Sequence, residues 1–285
     1  MPRPAARKIS KRRHRPRRTP RLKSLLMFTQ KRLREGRIFF RALSKTHPGT
    51  RLLISMVLLF TIFLGMNWIY HAISKPTEVL FPLERSLDKS LPATWREYGP
   101  LFREHATDII TPELLAALAQ AEGNGNPVAR TYWRRQWSWN PFEWYKPASS
   151  AVGMFQMTDG TFARAKRYCI HDHQVVEDGP WNKPRSCWFN SLYTRIFPSH
   201  AVEMTAALLD RDVTQIIGER RRATRKEKQT LAAVIHLCGP GAGRDFAARK
   251  FRLQPHQRCG DHDARTYLVR IAAFQQRFAD LNTTE

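Results

Sequence analysis

The chain has 285 residues, and its 48 Lys+Arg against 24 Asp+Glu give a formal charge of +24 at pH 7 and a pI near 10.8. That length suits one or two domains with a sizeable core, and 42% hydrophobic residues with 8 Trp and 16 Phe exclude a wholly disordered chain. Four cysteines are too few for a miniprotein built on disulfides.

The charge is concentrated at one end. Residues 1–51 carry 18 Lys/Arg and one acid, Glu35, for +17, while the other 234 residues carry 30 against 23, for +7. The run KRRHRPRRTPRLK has no interleaved aromatics and no folded reader motif. It predicts a disordered tail attracted to anionic lipid, with no specific nucleic-acid partner.

From Leu52 to Tyr70 the sequence reads LLISMVLLFTIFLGMNWIY, without a formal charge. About twenty such residues at 1.5 Å rise cross a hydrocarbon core about 30 Å thick. Trp68 and Tyr70 stand at one end, where amphipathic rings favour the interface, and Arg51 closes the other. Residues 52–73 are therefore expected to form a single transmembrane anchor. The basic tail places the N-terminus in the cytoplasm and everything after about residue 74 outside it. A cleaved signal fits poorly, because about fifty residues precede the apolar run and HAISKP offers no A-x-A site. Pro76, Pro82, Pro92 and Pro100 then mark residues 74–100 as a linker, leaving 101–285 as the outer domain.

Cys169, Cys187, Cys238 and Cys259 all follow the anchor, on the oxidising side, so two disulfides are expected. Three connectivities exist; the local pairing, Cys169 with Cys187 and Cys238 with Cys259, is favoured. A zinc site using His171, His173 or His262 competes weakly, since no C-x-x-C spacing occurs.

The outer domain reads as mainly α, with little or no β structure. Thr111 can cap a helix that has Pro112 at its first position, Glu113 in its first turn and Gly123 at its stop. Leu115, Leu118, Ala119 and Glu122 share one face. Further helices are predicted over about 161–168, 199–217, 226–238, 244–251 and 263–281, the last with Tyr267, Ile271, Phe274 and Phe278 on one stripe. Ala151–Met157 is the best candidate for extended structure. Glu122 breaks the pattern: burial and a helix C-terminus both disfavour an ionised carboxylate there, so a neutral carboxyl able to act as a general acid is expected.

Four short segments in order then resemble the lytic transglycosylases of the SLT type, within the lysozyme-like superfamily. AQAEGNGNPVA is similar to that family's helix end bearing a catalytic Glu. ASSAVGMFQMTDGTF is similar to its G-L-M-Q-x-x-x-x-T segment, through Gly153, Met154, Phe155, Gln156 and Thr161. AAVIHLCGPGAG resembles A-Y-N-A-G-P-G, with His236 and Leu237 standing for the Tyr and Asn, and DARTYLVRI resembles E-T-x-x-Y-V, through Thr266 and Tyr267. Other departures are Gly123, where Ser is common, and Arg265, where Glu is. The resemblance implies a lysozyme-like helical domain that needs no cofactor or metal. It implies cleavage of the MurNAc–GlcNAc β-1,4 bond of peptidoglycan with closure of a 1,6-anhydro ring. Glu122 would be the single acid and then base. Gln156, Gly153, Met154, Phe155, Tyr267 and His236 would lie at the substrate.

Within this reading the partners are glycan strands, the bacterial inner membrane with the domain in the periplasm, and cell-envelope machinery. Two alternatives remain open at this point: a catalytically weak peptidoglycan-binding scaffold, and a muramidase that would need Asp159, Glu143 or Glu177 across the cleft as a second carboxylate. The insert YWRRQWSWNPFEWY at 132–145 carries seven aromatics. Flat rings suit sugars, and most of these are expected to fill a satellite core, with Arg134 and Arg135 solvated.

Overall fold

Residues 46–75, 78–79, 86–180, 182–183, 186–218 and 222–284 are described by the structure, a computed structural model. The expected disordered tail lies outside the described residues up to position 45, as do Pro76 and Pro82 of the expected linker.

Helix α1 (Pro48–Ser74) contains one acid-free, apolar stretch with a mean hydropathy of 2.2, long enough to cross a membrane. Its Leu52, Leu53, Leu59 and Phe60 are exposed, which in water would be an unfavourable arrangement and in lipid is the expected one. The chain divides into two units after Met66, so the last two turns of α1, from Asn67, belong to the C-terminal domain.

That domain is mainly helical: α2 (Leu91–Glu104), α3 (Pro112–Gly123), α4 (Asp159–Ala165), α5 (Pro198–Ile217), α6 (Arg225–Ala248) and α7 (Ala264–Thr284). Helix α3 is its axis. The side chains from Leu114 to Ala119 are all fully buried, with α7 and α2 packed against them, while α5 packs on α6. A helix apolar all round is a core helix, and each buried leucine contributes about 1.5–3 kcal/mol. Thr111 caps α3 as expected, its side chain accepting from the Leu114 N–H. Thr224 and Glu227 form a reciprocal capping box at the start of α6. The two helices expected over 226–238 and 244–251 are parts of α6, broken at Gly239 (φ 80), with Pro240 starting the second part.

Two expectations differ from the structure. Residues 91–100, read as linker, form most of α2. Its Pro92 occupies the first turn, where a missing N–H costs nothing, and Trp95, Tyr98 and Phe102 bury one face in the core. Extended structure lies elsewhere than in Ala151–Met157, where Val152 makes only isolated bridges to Arg130 and Met157. Among the described residues it occurs in three antiparallel hairpins: β1 (Trp133–Arg135) with β2 (Tyr145–Pro147), β3 (Tyr168–His171) with β4 (Gln174–Glu177), and β5 (Arg258–Cys259) with β6 (His262–Asp263). Strands of two to four residues are too short to show an alternating pattern.

Cys169 pairs with Cys187 and Cys238 with Cys259 at disulfide distance, with Cα separations of 5.5 and 5.2 Å. The first ties β3 to the loop after β4. The second ties the end of the first part of α6 to β5, just before α7.

Candidate active site

Helix α3 ends where Asn124 adopts a left-handed conformation (φ 50) and the N–H groups of Asn124 and Gly125 return to the carbonyls of Gln120 and Ala119. This stop puts Glu122 in the last turn. Gly123 follows because nothing larger fits: a Cβ there would lie 2.9 Å from Met154 Cα and 3.0 Å from Met154 O. Glycine at this position is a packing requirement of this chain.

The Glu122 side chain is 18% exposed, with His236 Nε2 3.8 Å from its Oε1. This contact becomes an ion pair only when the imidazole is protonated. Tyr267 Oη donates to the same oxygen at 2.6 Å. Tyr267 is buried on α7. Burial, followed by the adjacent Glu122 charge, pushes its phenol well above the usual range, so it remains a proton-bearing donor around neutral pH. Helices α3, α6 and α7 thus each supply one member of a Glu122–His236–Tyr267 cluster.

Two cavities flank this cluster. One, of about 430 Å³, is lined by Glu122 with Asp88, Arg130, Tyr132, Trp133 and Tyr145. The other, of about 220 Å³, is lined by His236 with Gln156, Thr161, Arg164, Asp212 and Pro240. His236 and Glu122, one from each lining, come within 3.8 Å of each other.

Gln156 does line a cavity, but its amide nitrogen donates to the carbonyls of Ala129 (3.0 Å) and Gly153 (2.9 Å). Those bonds hold a strained turn in which Gln156 itself has φ 46 and Gly153 φ 83. Gly153 meets Arg195 rather than open space, since a Cβ there would lie 2.3 Å from the Arg195 carbonyl oxygen. Met154 and Phe155, expected at the substrate, are fully buried in the core. Their apolar side chains brace the turn from behind. Arg195, which the sequence reading passed over, ties the same turn together, donating to the Ser150 and Met157 carbonyls at 3.0 and 2.9 Å.

The carboxylates considered for a second catalytic role are engaged elsewhere. Asp159 pairs with Arg195 at 2.8 Å, Glu143 with Lys146 at 3.5 Å, and Glu177 with Arg167 at 3.0 Å. The second carboxylate that does line the Glu122 cavity is Asp88, which accepts from Asn126 Nδ2 at 2.9 Å. Both disulfides consume the thiolates that a zinc site would require. Of the aromatics in the 132–145 insert, Trp133 and Phe142 are half-buried, whereas Tyr132, Trp137, Trp139, Trp144 and Tyr145 are exposed. The expected satellite core is therefore small.

No protein family, no characterised protein and no solved structure matches this chain.

Proposed function

We propose that the C-terminal domain is a peptidoglycan lytic transglycosylase built on a lysozyme-like helical scaffold. In this reading α1 holds it to the bacterial inner membrane, with the basic tail in the cytoplasm and the domain in the periplasm. The observation that carries the proposal is the Tyr267 hydrogen bond to Glu122 on the wall of a cavity, at the end of a buried helix. It supports a single positioned carboxyl group working beside a sugar chain.

The chemistry balances on that one group. Glu122, protonated, gives its proton to the glycosidic oxygen as the C1–O bond breaks, and the substrate's N-acetyl oxygen stabilises the developing cation. Glu122, now a carboxylate, removes the proton from the muramyl O6 hydroxyl as O6 bonds to C1, closing the 1,6-anhydro ring. The acid is regenerated without water. An internal nucleophile gains a large effective molarity, which is why one carboxylate can suffice. Tyr267, donating to Oε1, holds the carboxyl group in one orientation and stabilises its charged state midway. His236, on the opposite cavity, is suited to a polar group of the substrate.

A second reading, a muramidase, is favoured by Asp88 on the wall of the Glu122 cavity, where it could activate a water. Mass spectrometry of muropeptides released by the full chain in H₂¹⁸O separates the readings. Anhydro-muramyl ends free of ¹⁸O, lost in Glu122→Gln, are expected. Reducing ends carrying ¹⁸O, lost in Asp88→Asn, would replace the proposal with hydrolysis. Binding without release by folded, oxidised protein would leave a scaffold.

A further inference from the structure

The last two turns of α1 are not bare. Asn67 and His71 are buried polar residues, and both meet the aromatic insert. Asn67 Nδ2 donates to the Tyr145 carbonyl at 2.8 Å, and His71 Nε2 lies 2.8 Å from the Phe142 carbonyl. One turn further, Lys75 Nζ donates to Thr131 Oγ1 and the Ser149 carbonyl, both at 3.3 Å. The Tyr70 ring stacks on Phe142 with centroids 5.3 Å apart. Glu78, fully buried, pairs with Arg130 and accepts from Trp133 Nε1 at 2.8 Å.

These contacts have a direction. Lys75, His71 and Asn67 are one helical turn apart, about 6 Å each. Lys75 meets Thr131 before β1, His71 packs on Trp133 with ring centroids 5.2 Å apart and reaches the Phe142 carbonyl in the loop between the strands, and Asn67 meets the Tyr145 carbonyl where β2 starts. The base of the hairpin therefore lies at Lys75, and its loop end at Asn67, Tyr70 and His71. Its tip, closed by the Gln136 N–H to the Trp144 carbonyl at 3.0 Å, carries Trp137 and Trp139 at 93% and 102% exposure. Trp144 stacks on Trp137 with centroids 6.1 Å apart. Trp137, Trp139 and Trp144 do not line the Glu122 cavity, which takes Tyr132, Trp133 and Tyr145 from the same insert. Arg134 and Arg135 are exposed beside the tip.

We infer that this hairpin tip is a second membrane contact: Trp137, Trp139 and Trp144 lie in the phospholipid interface at the level of Trp68 and Tyr70, with Arg134 and Arg135 against lipid phosphates. Bare indole rings are unfavourable in water and favoured at headgroup depth, and the loop of the hairpin packs through Phe142 on Tyr70, a ring expected at that depth. The inference rests on α1 spanning the membrane. One face of the hairpin would then meet lipid while its base lines the cavity, holding the catalytic site at a set height and orientation over the bilayer.

The test is tryptophan fluorescence of the full chain in nanodiscs of brominated phosphatidylcholine and phosphatidylglycerol, against unbrominated lipid. Removing both exposed rings in Trp137→Ser/Trp139→Ser is expected to abolish about half of the lipid-quenchable emission, two of four interfacial tryptophans, while Trp188→Phe leaves it unchanged. Lipid quenching equal in wild type and double variant, with Trp137 and Trp139 open to iodide, would overturn the hairpin contact and leave the anchor intact through Trp68. No lipid quenching in either protein would overturn the anchor reading, and the inference with it. A tip that responds to soluble glycan fragments but not to bromolipid would be a sugar platform, which also overturns it.

Discussion

The two flanks of Glu122 are built differently. On the His236 side the cavity is made of a turn and helical segments: 156–157 leading into α4 with its cap, 205–212 on α5 and 235–240 at the break in α6, each carrying several lining residues within a few positions. On the Asp88 side it is made of separate pieces: the approach to α2, the loop after α3, and a hairpin whose Arg130 and Trp133 bind Glu78, beyond the end of α1. The first flank is carried by a few runs of neighbouring residues, although its contact to the acid, His236 to Glu122, joins positions far apart in the chain. The second offers aromatic faces, and depends on contacts between residues far apart in the chain.

Variants can break or sharpen that contrast. The largest expected effect belongs to neither flank: Glu122→Gln should lower turnover of purified sacculi by about 10²–10⁴-fold, with the melting temperature unchanged. Tyr267→Phe removes a hydrogen bond to a charged group, worth about 1.5–3 kcal/mol. Its loss should appear in kcat rather than KM, read from initial rates of muropeptide release. Gly123→Ala presses a methyl group onto the Met154 backbone and should cost about 1–3 kcal/mol by overpacking, seen as a lower midpoint in denaturant. Trp133→Ala, on the hairpin flank, should raise KM while sparing kcat, if that flank supplies substrate surface alone. Equal losses in both would make it part of the catalytic geometry.

The smallest effect concerns pH. Burial holds the pKa of His105 below the ordinary histidine value, with Glu203 and Glu104 opposing the shift and His173 adding to it. The unfolded chain then binds a proton that the folded chain resists. Stability from this site is complete above the unfolded pKa of about 6.5 and declines as pH falls below it. His105→Gln should flatten the melting temperature between pH 7 and pH 5, measured by calorimetry.

The sequence exposed the first flank far better than the second, for the same physical reason. Glu122 was visible because an acid on an apolar helix face is anomalous, and Tyr267 because it keeps step with Ile271 and Phe278 on one buried stripe. Thr111 and the Gly239–Pro240 break are equally local. Helix α2 was hidden by its prolines, although Trp95, Tyr98 and Phe102 carry helical spacing. Asp88 and Arg195 had no local signal. Asp88 enters the cavity wall beside Asn126, and Arg195 matters only where the turn at 150–157 folds back against it. Met154 and Phe155 had the opposite difficulty: they sit within a motif, and only packing shows that their side chains face the core.

Finally, the Cys238–Cys259 bond lies two residues after His236 and eight before Tyr267. It fastens the segments that deliver both neighbours of Glu122. Under reducing conditions, α6 and α7 would have to hold those neighbours without that fastener. The bond is thus a timer on the cluster: until it forms, His236 and Tyr267 lack the tether that joins their two segments.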